Sequence, residues 1–405
     1  MTAVRIGGMK VGVMKESAPG ERRVAAVPET IARLRACGAE VLVERGAGAA
    51  SKAPDDAFAD AGAAIVGAAE LDARADLLLC VRAPVGDRAA GFREGQAILG
   101  LLDPLDDKTL MDAWVRAGVT VASLNLLPRT LSRAQGMDAL TSQANIAGYR
   151  AVLLAAATYE RFFPMLTTAA GTAQPARVLV LGAGVAGLSA LGTVRRLGAI
   201  ATGYDIRPEA ADEVRSTGAR FLDLGAAVAD GGAAGGYARA LSLDERAAQQ
   251  AALQARIAEF DVVITTAQVP GRRPPVLVTR DALKALRPGS VVVDLAAGPY
   301  GGNVEGCEAG QTLTVENGVT LIGAGDLPCS MAAAASAAYA RNIAATAALF
   351  VHDGALTVDL EDEIQNAIVI GHHGAFTHPE PHGAAALAGA APETPRQPIE
   401  TGGPA

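Results

Sequence analysis

The amino-acid sequence predicts an α/β protein that contains two Rossmann-like, doubly wound parallel-sheet domains with a cleft between them. Three observations support this fold class. The chain has 405 residues, too many for one ordinary domain. Short apolar segments typical of buried strands alternate with helical patterns along most of its length. A glycine-rich turn after residue 181 starts a second series of such segments.

The first domain is predicted to open with a strand at 10–14, followed by a loop at 15–23. A helix should run from Pro28, which suits a first helical turn, to Cys37, just before Gly38. The elements that follow are predicted, in chain order, as a strand at 40–44, a helix near 54–61, strands at 77–81 and 97–102, a helix at 107–117 and a strand at 119–124. Strands that alternate with helices indicate βαβ units and parallel pairing.

A long helical pattern at 137–163 has an alanine- and glycine-rich face that permits close packing, and it is predicted to lead into the second domain. That domain follows with a strand at 177–181, a helix at 188–197 and strands at 199–204, 261–265, 291–295 and 320–323. A helix at 332–350 should return to the first domain and make it discontinuous. The predicted domains are 1–140 with 329–380, and 141–328, followed by a disordered tail at 381–405 rich in alanine, glycine and proline.

Composition and charge exclude several classes of function. A net charge of −8 and a pI near 5.3 argue against a nucleic-acid partner, because phosphate binding needs a basic surface. The longest uncharged stretches consist mainly of alanine and glycine, which makes them poor membrane spans. The four cysteines show no CxxC pairing, and all five histidines lie at position 352 or later. We therefore predict no metal site, and no imidazole chemistry in the first 351 residues.

The strongest functional signal is a strand followed by Gly182-Ala-Gly184-Val185-Ala-Gly187 and a helix. This order is typical of a dinucleotide-binding turn. Gly182 permits the tight turn, Gly184 lets a pyrophosphate approach the backbone, and Gly187 lets helix and strand pack closely. The N-terminus of the helix would supply unpaired N–H groups to the phosphates. The glycine pattern alone is a weak signal, and a glycine turn in an ordinary α/β domain is the alternative.

Asp205 strengthens the signal because it follows the next predicted strand at the spacing expected of a dinucleotide site. An acid at this position accepts hydrogen bonds from the adenosine ribose hydroxyls and repels a 2′-phosphate, so it selects NAD over NADP. Arg207 lies two residues further on and could accept a phosphate. The position of Asp205 at the strand end nevertheless favours NAD(H) as the nucleotide.

Two further segments are candidates for ligand contacts. Residues 128–145 are dense in hydrogen-bonding side chains such as Gln135. They could form a capped, solvated loop, but their position between the two predicted domains favours a place at the nicotinamide end of the nucleotide. Residues 230–239 contain a glycine- and alanine-rich run before Tyr237, which could be a surface loop or a mobile lid over the nucleotide.

Three stretches resemble signature sequences of the alanine dehydrogenase and transhydrogenase superfamily. They are KVGVMKESAPGERRVAAVPE at 10–29, PRTLSRAQGMDALTSQANIAGY at 128–149, and the glycine turn with the strand that follows it at 178–207. The middle stretch is similar to the transhydrogenase branch in particular. Over roughly 10–379 the chain resembles the soluble NAD(H)-binding component, the alpha subunit, of proton-translocating NAD(P) transhydrogenases.

This resemblance implies direct hydride transfer between NADH bound here and NADP+ bound by the NADP(H)-binding domain of a beta subunit, in an enzyme of the Re/Si-specific type. A separate membrane-spanning subunit would couple the transfer to proton translocation. The chain would then be cytoplasmic and peripheral on the inner face of the membrane through these partners, and the family pattern implies a homodimer. Direct transfer needs no acid or base, but it needs two nicotinamide rings held at reacting distance.

The resemblance also assigns roles to individual residues. Arg129, Gln135 and Asp138 would position the nicotinamide and its ribose without acid–base chemistry. The full set predicted to contact NAD(H) is Arg129, Gln135, Asp138, Thr141, Gly182, Gly184, Val185, Gly187, Asp205, Ile206, Arg207, Gly236, Tyr237, Ala267 and Gln268. The chain departs from the family pattern by one extra residue between Arg129 and Gln135, by Thr141 in place of a common serine, and by Gln268 in place of an apolar residue.

Two other functions stay open from the sequence. An alanine-type amino-acid dehydrogenase needs an acid–base group at its substrate, which in that branch is a histidine supported by a lysine. The corresponding segments of this chain, 79–84 and 97–103, offer Arg82 and no histidine. A non-catalytic NAD-binding module is also compatible with the sequence, because half of a transhydrogenase active site belongs to the partner.

Overall fold

The computed structural model describes residues 8–105, 107–224, 243–268, 273–315, 317–352 and 354–377, of which 243–246 are described in their backbone only. The predicted lid residues Gly236 and Tyr237 and the predicted tail at 381–405 lie outside these ranges. The described residues form two compact units, 8–143 with 328–377, and 144–327. Each is an α/β unit built on a mostly parallel sheet, which confirms the predicted fold class.

The strands and helices are numbered along the chain. The strands are β1 Lys10–Val13, β2 Glu40–Glu44, β3 Ala64–Val66, β4 Leu77–Arg82, β5 Ala97–Leu101, β6 Thr120–Ser123, β7 Leu166–Thr168, β8 Gly171–Ala173, β9 Arg177–Leu181, β10 Ile200–Tyr204, β11 Arg220–Phe221, β12 Val262–Thr265, β13 Val291–Asp294, β14 Thr312–Thr314, β15 Thr320–Gly323, β16 Val351–His352, β17 Ala355–Leu356, β18 Val369–His372 and β19 Ala375–Phe376. The α-helices are α1 Pro28–Ala36, α2 Asp55–Asp60, α3 Ala68–Arg74, α4 Lys108–Arg116, α5 Ala139–Thr158, α6 Val185–Arg196, α7 Ala210–Ser216, α8 Leu243–Ile257, α9 Arg280–Ala285, α10 Ala332–Ala347 and α11 Glu363–Ile368. Short 3-10 helices occur at Ala49–Ser51, Gly86–Ala90, Leu124–Leu126, Ser132–Met137, Leu327–Met331 and Ala348–Phe350.

The first unit is organised around an eight-stranded sheet in the order β19-β18-β6-β5-β4-β1-β2-β3. Strands β1 to β6 pair in parallel, and β18 pairs antiparallel with β6. Helices α1 and α10 pack on one face, where Ile31 and Tyr339 are buried, and α3 and α4 cover the other face through Leu71 and Val115. Because both faces are covered, a strand such as β4 is apolar and buried at every position except Arg82.

Trp114 is the only tryptophan of the chain and belongs to the core of the first unit. Its side chain is 3% exposed, its ring lies edge-on to Phe92 with 5.2 Å between centroids, and its Nε1–H donates to the Ala89 carbonyl. The buried side chains of α4, namely Met111, Trp114 and Val115, recur at the spacing of one helix face. Packing of this face holds α4 against the sheet.

The second unit contains a seven-stranded sheet in the order β11-β10-β9-β12-β13-β15-β14. Its strands are parallel except β14, which pairs antiparallel with β15. From β9 the chain adds β10 and β11 on one side and then places β12 on the other, so the strand order reverses between β9 and β12. Helices α5, α6 and α7 contribute to the core on one face and α8 and α9 to the core on the other. Open α/β sheets bind ligands at such a reversal, outside the carboxyl ends of the strands.

The helix predicted at 137–163 is shorter in the structure, where α5 covers Ala139–Thr158. It ends five residues early, before Pro164, which disfavours helical backbone in the residue before it and cannot donate a backbone hydrogen bond. Met137 belongs to the preceding 3-10 helix. Helix α6 starts at Val185, whereas the prediction starts it at 188, so the glycine turn leads directly into the helix.

Several short elements are absent from the sequence prediction. The strand β3 and the hairpin of β7 and β8 have three residues per strand, too few to show a periodic pattern. Among the described residues, no helix combines the length and the apolar character that crossing a bilayer requires.

Candidate functional site

The glycine-rich turn lies at the carboxyl end of β9, beside the reversal of strand order. Gly182 has a φ of +99°, a backbone conformation that glycine adopts without strain, and its N–H donates to the Tyr204 carbonyl at the end of β10. A β carbon at Gly182 would lie 2.6 Å from the Thr266 hydroxyl, which follows β12. The turn is therefore pressed between the ends of two strands, where a side chain does not fit.

The two other glycines of the turn have different surroundings. At Gly187, in the first turn of α6, a β carbon would lie 1.8 Å from the Gly182 carbonyl oxygen. At Gly184, which directly precedes α6, a β carbon would have no atom within 4 Å. Because Gly184 has no side chain, it leaves the first N–H groups of α6 without a side-chain cap. Open space in front of an uncapped helix N-terminus fits the pyrophosphate of a dinucleotide.

These surroundings predict different effects for two alanine substitutions. Gly187→Ala should lower the free energy of unfolding by about 1–3 kcal/mol, because the added methyl group must displace the backbone. Gly184→Ala should leave stability unchanged and weaken NADH binding several-fold, because its methyl group occupies the open space. Thermal unfolding followed by circular dichroism and titration with NADH separate the two variants. Unchanged NADH binding by a folded Gly184→Ala variant would contradict a ligand in this space.

Asp205 follows β10 and faces the glycine turn. Its Oδ2 accepts the Ala183 N–H at 2.8 Å, and its Oδ1 accepts the Arg207 N–H at 2.9 Å. The Arg207 guanidinium returns to the same carboxylate, with 3.2 Å from Nε to Oδ1, and lies 3.7 Å from Glu213. The Asp205 side chain is 11% exposed, whereas the neighbouring Ile206 is 69% exposed. The acid is therefore fixed beside the turn, and carboxylates balance the charge of Arg207.

The segment after β12 is held by Asn303, whose side chain is fully buried. The Asn303 amide accepts from the Ala267 N–H and donates to the Ala267 carbonyl, each at 2.9 Å. The adjacent Gln268 donates from Nε2 to the Leu295 carbonyl at 2.7 Å. The backbone of Ala267 is thus fixed, and the amide of Gln268 is bonded to the protein itself.

Asp294, at the end of β13, supports the same region from below the surface. Its carboxylate accepts the Thr265 hydroxyl and the N–H groups of Ala296 and Val304, each at 2.9 Å. Burial raises the pKa of Asp294 above its ordinary value, although these donors oppose the shift. The sequence reasoning assigned no role to Asp294 or Asn303. The available signal was an acid that ends a strand of three valines, Val291–Asp294.

In the first unit, three predicted contact residues form one hydrogen-bonded group, which we call the Arg129 cluster: Arg129, Asp138 and Thr141. Arg129 donates from Nε to Asp138 Oδ2 at 2.9 Å and from Nη2 to Thr141 Oγ1 at 2.7 Å. Thr141 donates from its hydroxyl to Asp138 Oδ2 at 2.6 Å. The extra residue between Arg129 and Gln135 therefore does not keep Arg129 from Asp138. About half of the Arg129 side chain, 51%, is exposed, so the cluster presents a guanidinium to solvent.

Asp138 also caps a helix. It directly precedes α5, and its Oδ1 accepts the Thr141 N–H at 2.8 Å, the hydrogen bond of an N-cap. Burial raises the pKa of the Asp138 carboxyl, but the hydrogen bonds from Thr141 and Arg129 outweigh burial and hold the pKa below its ordinary value. The carboxyl is therefore ionised at neutral pH.

Asp138→Ala should lower the free energy of unfolding by about 0.5–2 kcal/mol at neutral pH, the usual contribution of an N-cap. Because the folded-state pKa is lowered, the ionic part of this contribution is present above the ordinary aspartate pKa of about 3.9 and is lost as pH falls through the folded value. Urea unfolding should show the difference from wild type shrinking only below about pH 4. Asp138→Asn keeps a cap without the charge and should lose less stability. A difference independent of pH would contradict an ionised cap.

Gln135 lies on the 3-10 helix Ser132–Met137. Ala134 and Met137 of this helix are buried in the core of the first unit, whereas Gln135 and Gly136 are exposed. The backbone is thus anchored on its inner side, and the Gln135 amide extends outward with a donor and an acceptor. Such an amide can form paired hydrogen bonds with the carboxamide of a nicotinamide.

Glu16 is a titratable group that the sequence reasoning did not single out. It follows β1, and its two oxygens accept the N–H groups of Val81 and Arg82 at 2.7 and 3.1 Å. Burial is the largest cause that raises the pKa of Glu16 to about 7; the charge of Glu21 adds to it, while the two N–H groups and Arg23 oppose it. Because both oxygens bond the backbone of β4, we assign Glu16 to joining the ends of β1 and β4.

Comparison with known proteins extends this picture. Residues 12–147 match the N-terminal domain of the alanine dehydrogenase/PNT family, and residues 151–379 match its C-terminal domain. The NAD(P) transhydrogenase subunit alpha of Cereibacter sphaeroides is 42% identical over 375 residues, which cover 92% of this chain and 71% of that protein. An NAD(P) transhydrogenase subunit alpha chain of Rhodospirillum rubrum is 39% identical over 380 residues, which cover 92% of this chain and 98% of that protein.

The crystal structure of transhydrogenase from Sinorhizobium meliloti is similar in fold as well as in sequence. It matches with a TM-score of 0.82 and 42% identity, over 91% of this chain and 99% of that chain. The likeness therefore extends over both units of the chain.

Proposed function

From the premise that this chain belongs to the alanine dehydrogenase/PNT family, we propose that it is the NAD(H)-binding alpha subunit of a proton-translocating transhydrogenase. Hydride passes directly between NADH on this chain and NADP+ on a partner subunit. The observation that carries the proposal is the glycine turn, with open space at Gly184 and the Asp205 carboxylate 2.8 Å from the Ala183 N–H. This arrangement supports a dinucleotide that lacks a 2′-phosphate.

The second unit holds the adenosine and pyrophosphate portion of NAD(H). The N–H groups at the start of α6, beginning at Val185, bind the pyrophosphate, and Gly184 gives the phosphates access to them. Asp205 accepts the hydroxyls of the adenosine ribose. The exposed Ile206 contributes apolar contact beside the adenine, and Arg207 keeps the Asp205 carboxylate in place.

The first unit positions the nicotinamide end. NADH supplies the hydride together with its electron pair, and no proton passes to the protein. Gln135 therefore holds the carboxamide by hydrogen bonds, and Arg129 holds the ribose through its exposed guanidinium. Asp138 remains ionised at neutral pH and, with Thr141, orients Arg129. These residues position the reacting ring and act neither as acid nor as base.

The partners follow from the same proposal. NADP(H) is bound by a domain of a beta subunit, a membrane-spanning subunit couples hydride transfer to proton translocation, and two copies of this chain form a dimer. The chain is cytoplasmic and lies on the inner face of the membrane through these subunits. Gly236 and Tyr237 close over the nucleotide as a lid. The names of the relatives, each a subunit alpha, support a multi-subunit enzyme.

Two other functions compete with this proposal, an alanine-type amino-acid dehydrogenase and a non-catalytic NAD-binding module. The segments that would hold the acid–base group of a dehydrogenase contain Arg82 and Asp103 and no histidine. Asp103 accepts a hydrogen bond from the Asn125 amide, and its N–H donates to the same side chain at 3.1 Å, so it is engaged in the protein structure. This arrangement favours the transhydrogenase.

One assay separates the three functions. The full chain is mixed with the NADP(H)-binding domain of its partner subunit, and reduction of an NADP+ analogue by NADH is followed in the steady state. Transhydrogenation that requires both proteins supports the proposal. Oxidation of alanine by NAD+ with this chain alone would establish the dehydrogenase instead, and NADH binding without either reaction would establish the binding module.

A further inference from the structure

The 3-10 helix Ser132–Met137 carries Gln135 on a short, largely exposed segment, so its own hydrogen bonds are few. The Ala134 N–H donates to the Leu131 carbonyl at 3.0 Å, and the Asp138 N–H donates to the Gln135 carbonyl at 3.3 Å. Hydrogen bonds of such a short turn resist fraying poorly on their own. The position of Gln135 therefore depends on contacts from other elements.

One of these contacts comes from Asn342, on α10. Its Nδ2 donates to the carbonyl of Gly136 at 3.0 Å, at the peptide unit that directly follows Gln135. Asn342 is 9% exposed, and α10 is a 16-residue helix whose residues are mostly buried in the core of the first unit. A buried side chain on a rigid helix thus holds the backbone from which Gln135 extends.

The other end of the same amide is unpaired. Among the described residues no donor reaches Asn342 Oδ1, although this atom is buried. An unpaired buried acceptor lowers stability, and an apolar side chain of similar size would avoid that loss. Global stability therefore gains little from Asn342, and the specific contribution of its amide is the hydrogen bond to Gly136.

A second contact fixes the 3-10 helix on the other side of Gln135. Arg133 donates from Nη2 to Asp362 Oδ2 at 2.6 Å. Asp362 itself caps α11, where its Oδ1 accepts the N–H groups of Ile364 and Gln365, each at 2.9 Å. Arg133 is half exposed, so this ion pair is weaker support than the buried Asn342 contact.

We propose that Asn342 is a positioning residue for hydride transfer, which acts through the Gly136 carbonyl to fix the Gln135 amide. The proposal rests on the proposed function of Gln135. Without the hydrogen bond the 3-10 helix remains attached through Ala134 and Met137, but Gln135 samples a wider range of positions. A small displacement of the bound ring lowers the transfer rate strongly while most nucleotide contacts are kept.

The test compares Asn342→Leu with Thr346→Val. Thr346 lies one turn further along α10, is fully buried, and bonds only within the helix, to the Asn342 carbonyl at 3.1 Å. Three quantities are measured with the full chain and the partner's NADP(H)-binding domain: single-turnover hydride transfer, NADH affinity and amide hydrogen exchange at Ala134 and Asp138. Asn342→Leu should slow transfer on the order of ten-fold and speed this exchange, with thermal stability and NADH affinity little changed. Thr346→Val should change neither transfer nor exchange.

The outcomes separate this proposal from the proposed function. Normal transfer by Asn342→Leu, in a set where Gln135→Asn slows transfer, overturns the role of Asn342 alone. Normal transfer by Gln135→Asn overturns the role of Gln135 and, with it, that of Asn342. A slow Asn342→Leu variant whose exchange at Ala134 and Asp138 matches wild type overturns the route through Gly136. If Asn342→Leu does not fold, Asn342→Ser is measured in the same way and must show the same pattern.

Discussion

Replacing Gln135 with asparagine is expected to slow hydride transfer by about 10²-fold while NADH affinity falls by much less, because a displacement of about 1 Å at a reacting carbon has that effect on rate. The substitution shortens the side chain by one methylene group and keeps the amide. Most of the binding area of NADH belongs to the adenosine and pyrophosphate, which Gln135 does not contact in the proposed arrangement. Single-turnover transfer with the partner's NADP(H)-binding domain and a separate NADH titration measure the two effects.

Gln311→Asn is the matched control, because Gln311 is an exposed glutamine in the second unit that bonds Glu308. It undergoes the same chemical change and should transfer hydride at the wild-type rate. If Gln135→Asn instead lowers thermal stability and the folded protein turns over normally, Gln135 is a surface residue of the 3-10 helix and the nicotinamide contacts must be sought elsewhere.

The chain should bind NADH at least about ten-fold more tightly than NADPH, because a 2′-phosphate beside the Asp205 carboxylate is repelled and poorly solvated. Asp205→Asn should narrow this gap for two reasons. It removes the negative charge, and it deprives Arg207 of the carboxylate that it bonds, so that the guanidinium becomes available to a phosphate. Calorimetric titration of both nucleotides into both proteins gives the four affinities that are needed.

Asp212→Asn controls for the general loss of a negative charge. Asp212 lies on α7, its side chain is 90% exposed, and it pairs with Arg215 on the surface. Its loss should leave the preference for NADH unchanged. Equal affinities of the wild-type chain for NADH and NADPH would refute the assignment of Asp205.

Much of the architecture could be predicted because it depends on local sequence. The strands of both sheets are continuous apolar runs, since both faces of each sheet are covered, and β9 with its glycine turn has a fixed spacing to Asp205. The membership of the alanine dehydrogenase/PNT family that the motifs indicated is confirmed. The Arg129 cluster was also accessible, because Arg129, Asp138 and Thr141 lie within 12 residues of one another.

What could not be predicted depends on contacts between distant residues. Asn342 meets Gly136 across 206 residues, and Asn303 meets Ala267 across 36, and no periodic pattern links either pair. Buried amides of this kind look like ordinary polar residues until the packing around them is known. The early end of α5 is a different case, because Pro164 was in the sequence and marks a helix boundary. The alanine-rich pattern before it hid that signal.

The single tryptophan has a practical consequence for every unfolding experiment on this protein. Trp114 is buried in the first unit, so intrinsic emission excited at the indole band reports the melting of that unit and is blind to the other. Fluorescence is therefore a suitable probe for Asp138 and Asn342, whereas substitutions at Gly187 or Asp205 would pass unnoticed by it. A transition seen by circular dichroism but missing from the emission curve would identify separate unfolding of the nucleotide-binding unit, and a two-state fit to either signal would then be invalid.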